Sequence, residues 1–191
     1  DKTLKVWDLR TGAPLHTLTG HEDWVLHVAV TGDGTTAVSA SRDKTLKVWD
    51  LRTGAPLHTL TGHTWIVTHV AVTGDGTTAV SASRDKTLKV WDLRTGALLM
   101  SEADTLEGRR AIADAYPQVT AFHGFERAAD GTQLAYAGSA LLVRAPDGRE
   151  ARFVGDAPIR SAALGAGGLV VAGDEAGRVL ILRLRGGDAP A

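Results

Sequence analysis

Histidine, serine, aspartate and tryptophan recur twice along this chain in the same order and spacing. The two sets are His21, Ser41, Asp43 and Trp49, followed by His63, Ser83, Asp85 and Trp91. A serine hydroxyl, an imidazole and a carboxylate are the groups of a hydrolytic triad, in which the imidazole takes the hydroxyl proton as the oxygen attacks. The same groups can form an internal hydrogen-bond network instead, because buried polar groups must be paired. Repetition of the whole set favours the network over one active site.

Two further patterns suggest ligand chemistry. His27 and His69 each lie six residues after a histidine of these sets. A metal held by imidazoles needs three or four converging ligands, and these two histidines belong to separate repeats in a chain without cysteine. A phosphate loop needs Gly-x-x-x-x-Gly-Lys-Ser/Thr before a helix, whereas a predicted strand follows Thr31-Gly32-Asp33-Gly34. We therefore expect no metal and no cofactor.

Composition limits the classes of partner. Hydrophobic residues make up 43% of the 191 residues, which predicts a packed core. The formal net charge is −1, and binding to bulk nucleic acid needs a surplus of Lys and Arg. Apolar runs such as Val179–Leu182 are far shorter than the ~20 residues that span a bilayer. We expect no nucleic-acid partner, no membrane partner and, because cysteine is absent, a reducing cytoplasmic location.

The residues with possible chemistry are carried by an internal repeat. The stretch DKTLKVWDLRTGA occurs at Asp1, Asp43 and Asp85, and residues 1–42 differ from 43–84 at only four positions. Each unit alternates short apolar runs with Gly turns, a pattern that predicts β-strands and tight hairpins. The strands predicted in one unit are Val25–Val30, Thr36–Ser41, Leu46–Leu51 and Leu57–Leu60.

Four strands per repeat, with a Gly-His entry and a Trp-Asp exit, resemble the WD-repeat (WD40) β-propeller family. The match covers residues 1–97, through Gly20-His21 to Trp49-Asp50 and Gly62-His63 to Trp91-Asp92. The resemblance implies an all-β propeller of four-stranded antiparallel blades, about four to five in number and forming a partial propeller or arc. It also implies that the His, Ser, Asp and Trp sets are structural networks, with Ser41 preferred to Ser39.

The pattern weakens after Gly96, and this change sets the expected domain boundaries. The regular blades occupy residues 1–97, as a partial blade 1–19 and blades 20–61 and 62–101. The remainder is an insert 102–117, a degenerate blade 118–156, a degenerate terminal blade 157–185 and a tail 186–191. We expect a short helix between Ser101 and Tyr116. Val143 and Leu182 are assigned to the places that Trp holds in the regular blades.

Three assemblies agree with these blades. The chain is interpreted first as the C-terminal part of a longer propeller, since it begins at a third strand. Alternatively, it forms a small closed ring, in which Leu15–Leu18 completes the last blade and residues 2–8 are displaced. In the third interpretation two arcs associate, because an open arc exposes blade faces.

The four differences between the repeats locate the candidate binding site. Glu22, Asp23, Trp24 and Leu26 become Thr64, Trp65, Ile66 and Thr68. The indole moves by one position, which on a strand would exchange faces, and tryptophan is enriched at binding hot spots. The predicted contact residues are Asp23, Trp24, Arg42, Trp65 and Arg84. If instead both indoles pack between blades, the four differences have no functional meaning.

The family resemblance implies a non-enzymatic scaffold that binds a protein or peptide. Near-identical tandem repeats are similar to those of large bacterial signalling proteins, so we expect a sensing or assembly platform within such a protein. One alternative is a structural propeller fragment that self-associates. A more distant alternative is a propeller-fold hydrolase.

Overall fold

A computed structural model describes residues 1–119, 121–122, 124–165 and 169–183. The chain divides into two compact units, residues 1–104 with 111–123 and residues 105–110 with 124–191. Nearly all of the regular structure is antiparallel β-sheet, as the sequence predicts. Among the described residues, no helix combines the length and the apolar character needed to cross a membrane.

The first unit contains a two-stranded sheet and two four-stranded sheets, each connected in simple sequence order. The strands are β1 (Leu4–Trp7) and β2 (Pro14–Leu18); β3 (Val25–Val30), β4 (Thr36–Ser41), β5 (Leu46–Asp50) and β6 (Pro56–Leu60); β7 (Val67–Val72), β8 (Thr78–Ser83), β9 (Thr87–Asp92) and β10 (Leu98–Ala103); and the short β11 (Ala121–Phe122). The two four-stranded sheets have the strand number and order of propeller blades.

The second unit contains two further antiparallel arrays. The strands are β12 (Phe125–Arg127), β13 (Gln133–Ala137), β14 (Ala140–Arg144) and β15 (Glu150–Val154); and β16 (Ile159–Gly165), β17 (Leu169–Asp174) and β18 (Val179–Arg183). Helix α1 (Leu106–Ala115) confirms the predicted helix, and its residues are divided between the two units. Thr120, His123 and the predicted tail 186–191 lie outside the described residues.

The core of the first unit lies between the two four-stranded sheets. Side chains alternate between faces along a strand, so Leu46 and Val48 share one face of β5 and are completely buried. They pack with Val38 against Val70 and Trp91 of the next sheet. The apolar stripe of one blade therefore meets the tryptophan of the following blade.

A repeated histidine contact also ties neighbouring sheets of this unit together. Nε2 of His58 in β6 donates to the carbonyl oxygen of Arg94 at 3.1 Å, and His16 in β2 binds Arg52 in the same way. Gly96 makes this contact possible: its φ is +73°, and an added Cβ would lie 3.2 Å from Cγ of His58. The Thr-Gly turn is therefore shaped to accept the imidazole.

The second unit corrects one sequence assignment. Ala37 follows a turn closed by the Thr31–Thr36 backbone bond and pairs with Trp49. Gln133 follows the equivalent turn and pairs with Arg144. Arg144 therefore stands in the tryptophan place of this degenerate blade, and the assignment of Val143 was wrong by one residue because the hairpin is shorter.

Leu182, in contrast, does occupy a tryptophan place. The turn before β18 has backbone bonds from Asp174 to Arg178 and from Gly177 to Asp174, which match the turn before β5. Leu182 lies four residues after Arg178, as Trp49 lies four residues after Thr45. The last blade thus keeps the regular turn but has a smaller side chain where the indole would be.

Candidate functional site

A buried hydrogen-bond network connects β4 and β5 of the first complete blade with the loop before β3 and the turn between β4 and β5. Nδ1 of His21 donates to the Asp43 carboxylate at 2.6 Å. The Ser39 hydroxyl and Nε2 of His21 are 2.7 Å apart, and the Trp49 indole donates to the same hydroxyl at 2.9 Å. Since the indole nitrogen can only donate, Ser39 is the group that joins the imidazole to the tryptophan.

The next blade repeats this network almost atom for atom. The bonds from His63 to Asp85 and to Ser81 are both 2.8 Å, and Trp91 donates to Ser81 at 2.9 Å. Two copies with nearly equal distances show that the network belongs to the repeat. It therefore defines a structural unit of the blade.

The preference for Ser41 and Ser83 as the bridging serines was wrong. Ser39 pairs with Lys47 in the middle of the sheet, within reach of Trp49, whereas Ser41 is the last residue of β4. The Ser41 hydroxyl donates to the Asp23 carbonyl and accepts the Asp43 amide, each at 3.1 Å. Ser83 makes the same two kinds of bond in the next blade. These serines fix the turn.

The network contains the groups of a hydrolytic triad in the same order, but a substrate cannot reach its serine. Ser39 is 0% exposed and its oxygen already receives the indole N–H of Trp49. A nucleophile must reach the reacting carbon of a substrate, and this hydroxyl is enclosed by protein. The geometry therefore supports a structural role for Ser39 and equally for Ser81, which is 1% exposed.

Burial sets the protonation of this network. It lowers the pKa of His21 and His63 below the ordinary value of 6.5, and this effect outweighs the bonds to Asp43 and Asp85, which act to raise it. Burial acts to raise the pKa of Asp43, but hydrogen bonds from Thr45 and His21 hold it below 3.8. Neutral imidazole facing carboxylate is thus the stable state at neutral pH.

The histidines of β3 and β7 lie closer together than the sequence suggested. His27 in β3 and His69 in β7 belong to different blades, yet their ring centroids are 5.2 Å apart. Metal binding by protein side chains requires more ligands than this pair supplies. Within the part of the chain that the structure describes, no group of three or more His, Asp or Glu side chains is placed to hold a metal ion.

Both tryptophans of the variable segment are accessible to a partner. Trp24 is 54% exposed and Trp65 is 53% exposed, while Trp49 and Trp91 are each 1% exposed. Trp24 and Trp65 lie in the loops before β3, which begins at Val25, and β7, which begins at Val67. The expected exchange of strand faces therefore does not apply, because neither indole belongs to a strand.

A cation lies over each of these two indoles. The guanidinium carbon of Arg42 is 5.1 Å from the ring centroid of Trp24, and Nζ of Lys44 is 5.7 Å from that of Trp65. Such geometry is attractive because the ring face is negative. We call Trp24, Arg42, Lys44 and Trp65 the indole–cation surface. Lys44 belongs to the blade before that of Trp65, so the surface crosses from one blade to the next.

The other two predicted contact residues have different surroundings. The Asp23 carboxylate accepts the backbone N–H of Trp24 at 2.7 Å, so this side chain is occupied in holding the loop. Arg84 is exposed and its amide donates to the carbonyl of Ile66, as the amide of Arg42 donates to Trp24. Ile66 replaces the indole at this second position.

The sequence reasoning missed Lys44, because it named Arg42 and Arg84 before the turn aspartates but no lysine after them. Its side chain is directed by the backbone: φ is +72° at Lys44 and +64° at Lys86, a left-handed conformation that is rare for lysine. The tripeptide Arg-Asp-Lys recurs at this turn in each unit, with a cation on both sides of the buried aspartate. This repeated pattern could have revealed the lysine.

The turns beside the indole–cation surface present cations, and Glu22 in the loop of Trp24 is an exposed acidic residue. Arg42, Lys44, Arg84 and Lys86 are all exposed. The carboxylates of Asp43 and Asp85 lie between these cations in sequence, but only 7% and 6% of their side chains is accessible because they bind the network histidines. The exposed turns therefore present cations, and the acidic groups beside them face inward.

Comparison with known proteins agrees with these observations. The family model "WD domain, G-beta repeat" matches residues 12–50 and 54–92. A solved structure of U3-55K has a TM-score of 0.66 and 20% identity, over 95% of this chain and 54% of that one. The crystal structure of the WD40 β-propeller domain of Doa1 has a TM-score of 0.64 and 22% identity, over 94% of this chain and 57% of that one.

The chain thus spans just over half the length of the two structures it resembles, and at these identities the resemblance concerns the fold alone. The two matched repeats coincide with the two blades that carry the complete His, Ser, Trp and Asp network. The sheets of both units have the antiparallel order of propeller blades. Together these findings show that the chain contains two WD repeats, within residues 12–92, and that its fold is that of WD40 β-propeller proteins.

Proposed function

We propose that the chain is a binding platform for an acidic protein or peptide segment, with the indole–cation surface as the contact site. WD40 domains generally act as protein-interaction scaffolds. The single observation that carries the proposal is the pair of half-exposed indoles, Trp24 and Trp65, which belong to adjoining blades. A cation lies over each indole. Large exposed aromatic side chains are typical anchors of protein interfaces.

The cations support an acidic partner. Arg42 and Lys44 flank the turn of one blade and Arg84 and Lys86 flank the turn of the next, so a segment that crosses both blades would pass four exposed positive charges. Complementary charge raises association rates and selects among partners. The indoles would supply contact area, and the cations would favour Asp or Glu beside the anchoring residues of the partner.

A peptide selection tests this proposal without a known partner. Random peptides would be selected on the immobilised full chain, and the recovered peptides would be titrated against Trp24→Ala/Trp65→Ala and against Trp7→Ala. Trp7 is a matched control because it is 49% exposed but lies outside the indole–cation surface. We expect acidic peptides that lose at least about tenfold in affinity, or ~1.4 kcal/mol, with the double variant and none with Trp7→Ala.

Two results would contradict the proposal. Recovered peptides without acidic enrichment would show that the cations do not select the partner. Equal affinity for the wild type and the double variant, with both chains folded by circular dichroism, would place the binding site elsewhere on the molecule.

The wider role is part of the same proposal. We expect a non-enzymatic sensing or assembly element of a larger bacterial signalling protein in the cytoplasm, without nucleic-acid or membrane partners. The enclosed hydroxyls of Ser39 and Ser81 support the absence of triad hydrolysis at the network. The net charge of −1 supports a protein rather than a nucleic-acid partner.

A second candidate function is self-association through exposed sheet faces. Val179 and Ile181 alternate on β18 and are 68% and 69% exposed, and Val171, which pairs with Ile181, is 41% exposed. Contiguous apolar patches of this kind often mark interfaces. A measurement of mass in solution distinguishes this function from binding by a monomeric chain.

A further inference from the structure

The second unit contains an apolar cavity at the place of a missing tryptophan. The cavity has a volume of about 220 Å³, and its lining includes Leu141, Val143 and Phe153 from one blade and Val170 and Leu182 from the next. The turn register shows that Leu182 stands where Trp91 stands in the regular blade. The cavity is therefore next to the side chain that has replaced an indole.

The regular blades show what such a place normally contains. The Trp91 indole packs between its own blade and the preceding one, in contact with a cluster that includes Val38 and Val48, and is 1% exposed. Leu182 lacks the ring. The buried members of the cluster around it, which include Leu134 and Val143, are aliphatic, and Phe153 is among the partly buried residues that pack against them. A flat aromatic group is thus the shape that the fold accommodates here.

The size and polarity of the cavity agree with a small aromatic occupant. Apolar cavities of about 150 Å³ stay dry and take up benzene, whereas sites for drug-sized ligands begin near about 300 Å³. The cavity in this unit lies between these limits. Its inner wall is formed by aliphatic residues and Phe153, so water would find few partners within it.

The charged lining residue does not direct its side chain along this face. Arg152 in β15 pairs with Leu142, whereas Phe153 pairs with Leu141, which lines the cavity. Because side chains alternate between the faces of a strand, the Arg152 side chain leaves β15 on the opposite face. The structure therefore supports an apolar occupant without a charged group.

We infer that this cavity is a binding site for an uncharged planar aromatic group of about indole size. The site is independent of the indole–cation surface, since all of its lining residues belong to the second unit. A small uncharged aromatic molecule would therefore be a ligand of the platform in addition to its protein or peptide partner. Occupancy would fill the apolar space beside Leu182 and stabilise the folded chain by mass action.

Uncharged indole is a suitable probe, titrated into the full chain by calorimetry and by ligand-detected NMR. We expect saturable binding of indole. Leu182→Trp should raise the melting temperature and weaken indole binding by at least about tenfold, because the new ring fills the cavity.

Ile181→Trp is the matched control. It introduces the same side chain at the neighbouring position on the other face of β18, where Ile181 is 69% exposed, and should leave probe binding unchanged. Leu182→Phe provides a smaller cavity-filling change in case the indole does not fit. Unchanged binding of indole in folded Leu182→Trp and Leu182→Phe, or no saturable binding of indole to the wild type, would overturn the inference.

Discussion

At the scale of single residues, one hydroxyl holds each regular blade together. Ser39 receives the indole N–H of Trp49 and faces Nε2 of His21, so its loss would leave a polar group of β5 and one of the loop before β3 without their partner. Removing one side of a buried hydrogen bond costs more than the bond contributes, because the remaining group stays desolvated. Ser81 has the same position in the following blade.

Ser39→Ala should lower the free energy of unfolding by about 1–3 kcal/mol, since it leaves buried donors unpaired. Ser81→Ala should give a similar loss. Ser41→Ala is the internal comparison: its hydroxyl is also buried, but its two bonds go to partly buried backbone groups of a loop and a turn, so its loss should be smaller. Urea unfolding followed by circular dichroism measures all three, and a larger effect of Ser41→Ala would contradict the assignment of Ser39 as the bridging serine.

The network also makes stability depend on pH. His21 and His63 have lowered pKa values in the folded chain, so below pH 6.5 the unfolded chain binds protons that the folded chain does not. The free energy of unfolding should therefore fall as pH is lowered through this range. Below about pH 3.8 the lowered pKa of Asp43 adds a second loss in the same direction.

Urea unfolding at a series of pH values between 7.5 and 4 tests this linkage. A His21→Asn/His63→Asn variant retains every other histidine and should lose less stability than the wild type between pH 6.5 and pH 5. A wild-type curve that is flat or rises on acidification would show that these imidazoles are not held neutral.

Residue identity was predictable only in part. Two aspartates, two histidines and two tryptophans of the network follow from the repeat and its family resemblance, since each type recurs at a fixed position. The choice between Ser39 and Ser41 depends on which one lies beside Trp49 across β4 and β5. Both are small, buried and on the same face of the strand, so composition and periodicity do not separate them.

At the scale of secondary-structure elements, the turns between strands carry the exposed chemistry. Lys44 and Lys86 both adopt left-handed backbone conformations, which cost non-glycine residues about 1–2 kcal/mol. In the turn before β5 this conformation directs the lysine toward Trp65 of the next blade. In the turn before β9, the backbone amide of Lys86 bonds to Ser83, as that of Lys44 bonds to Ser41.

The two lysines give a matched pair of variants. Lys86→Gly should raise the free energy of unfolding by about 0.5–1 kcal/mol, because relief of the left-handed strain exceeds the entropy that glycine adds to the unfolded chain. Lys44→Gly gains the same relief but loses the contact with Trp65, so its net change should be smaller. Thermal and urea unfolding compare them, and a destabilised Lys86→Gly would show that the lysine conformation is not strained.

Element boundaries were predicted well where the repeat is exact. The strands Val25–Val30 and Thr36–Ser41 have the predicted limits. The first part of the predicted degenerate blade 118–156 contains two short strands, β11 and β12, with Thr120 and His123 outside the described residues. The pairing register of the degenerate blade was less predictable. Its hairpin is one residue shorter, so Arg144 and not Val143 stands at the position equivalent to the tryptophan.

At the scale of the whole molecule, the apolar patch of Val171, Val179 and Ile181 bears on self-association. Val179→Glu/Ile181→Glu would place two charges on this patch and should convert self-associated chains into monomers, since unpaired charges are costly to bury. Sedimentation equilibrium over a range of concentrations measures the mass. A wild-type chain that stays monomeric throughout would contradict self-association as a function of this patch.

Fold class was predictable from the whole sequence, because a strict repeat with a Gly-His entry and a Trp-Asp exit specifies a blade. The indole–cation surface was only partly predictable. Trp24, Arg42 and Trp65 do lie together, but the pairing of Lys44 with Trp65 depends on how one blade meets the next. No pattern within a single repeat contains that information.

The indole resonances of the five tryptophans test the central claim most directly. A peptide from the acidic selection would be titrated into uniformly ¹⁵N-labelled full chain, with each indole N–H assigned by Trp→Phe substitution. The indole–cation surface predicts that the resonances of Trp24 and Trp65 shift and saturate together, while those of Trp7 and of the buried Trp49 and Trp91 stay in place. Saturating peptide that leaves Trp24 and Trp65 unchanged would contradict the proposed site.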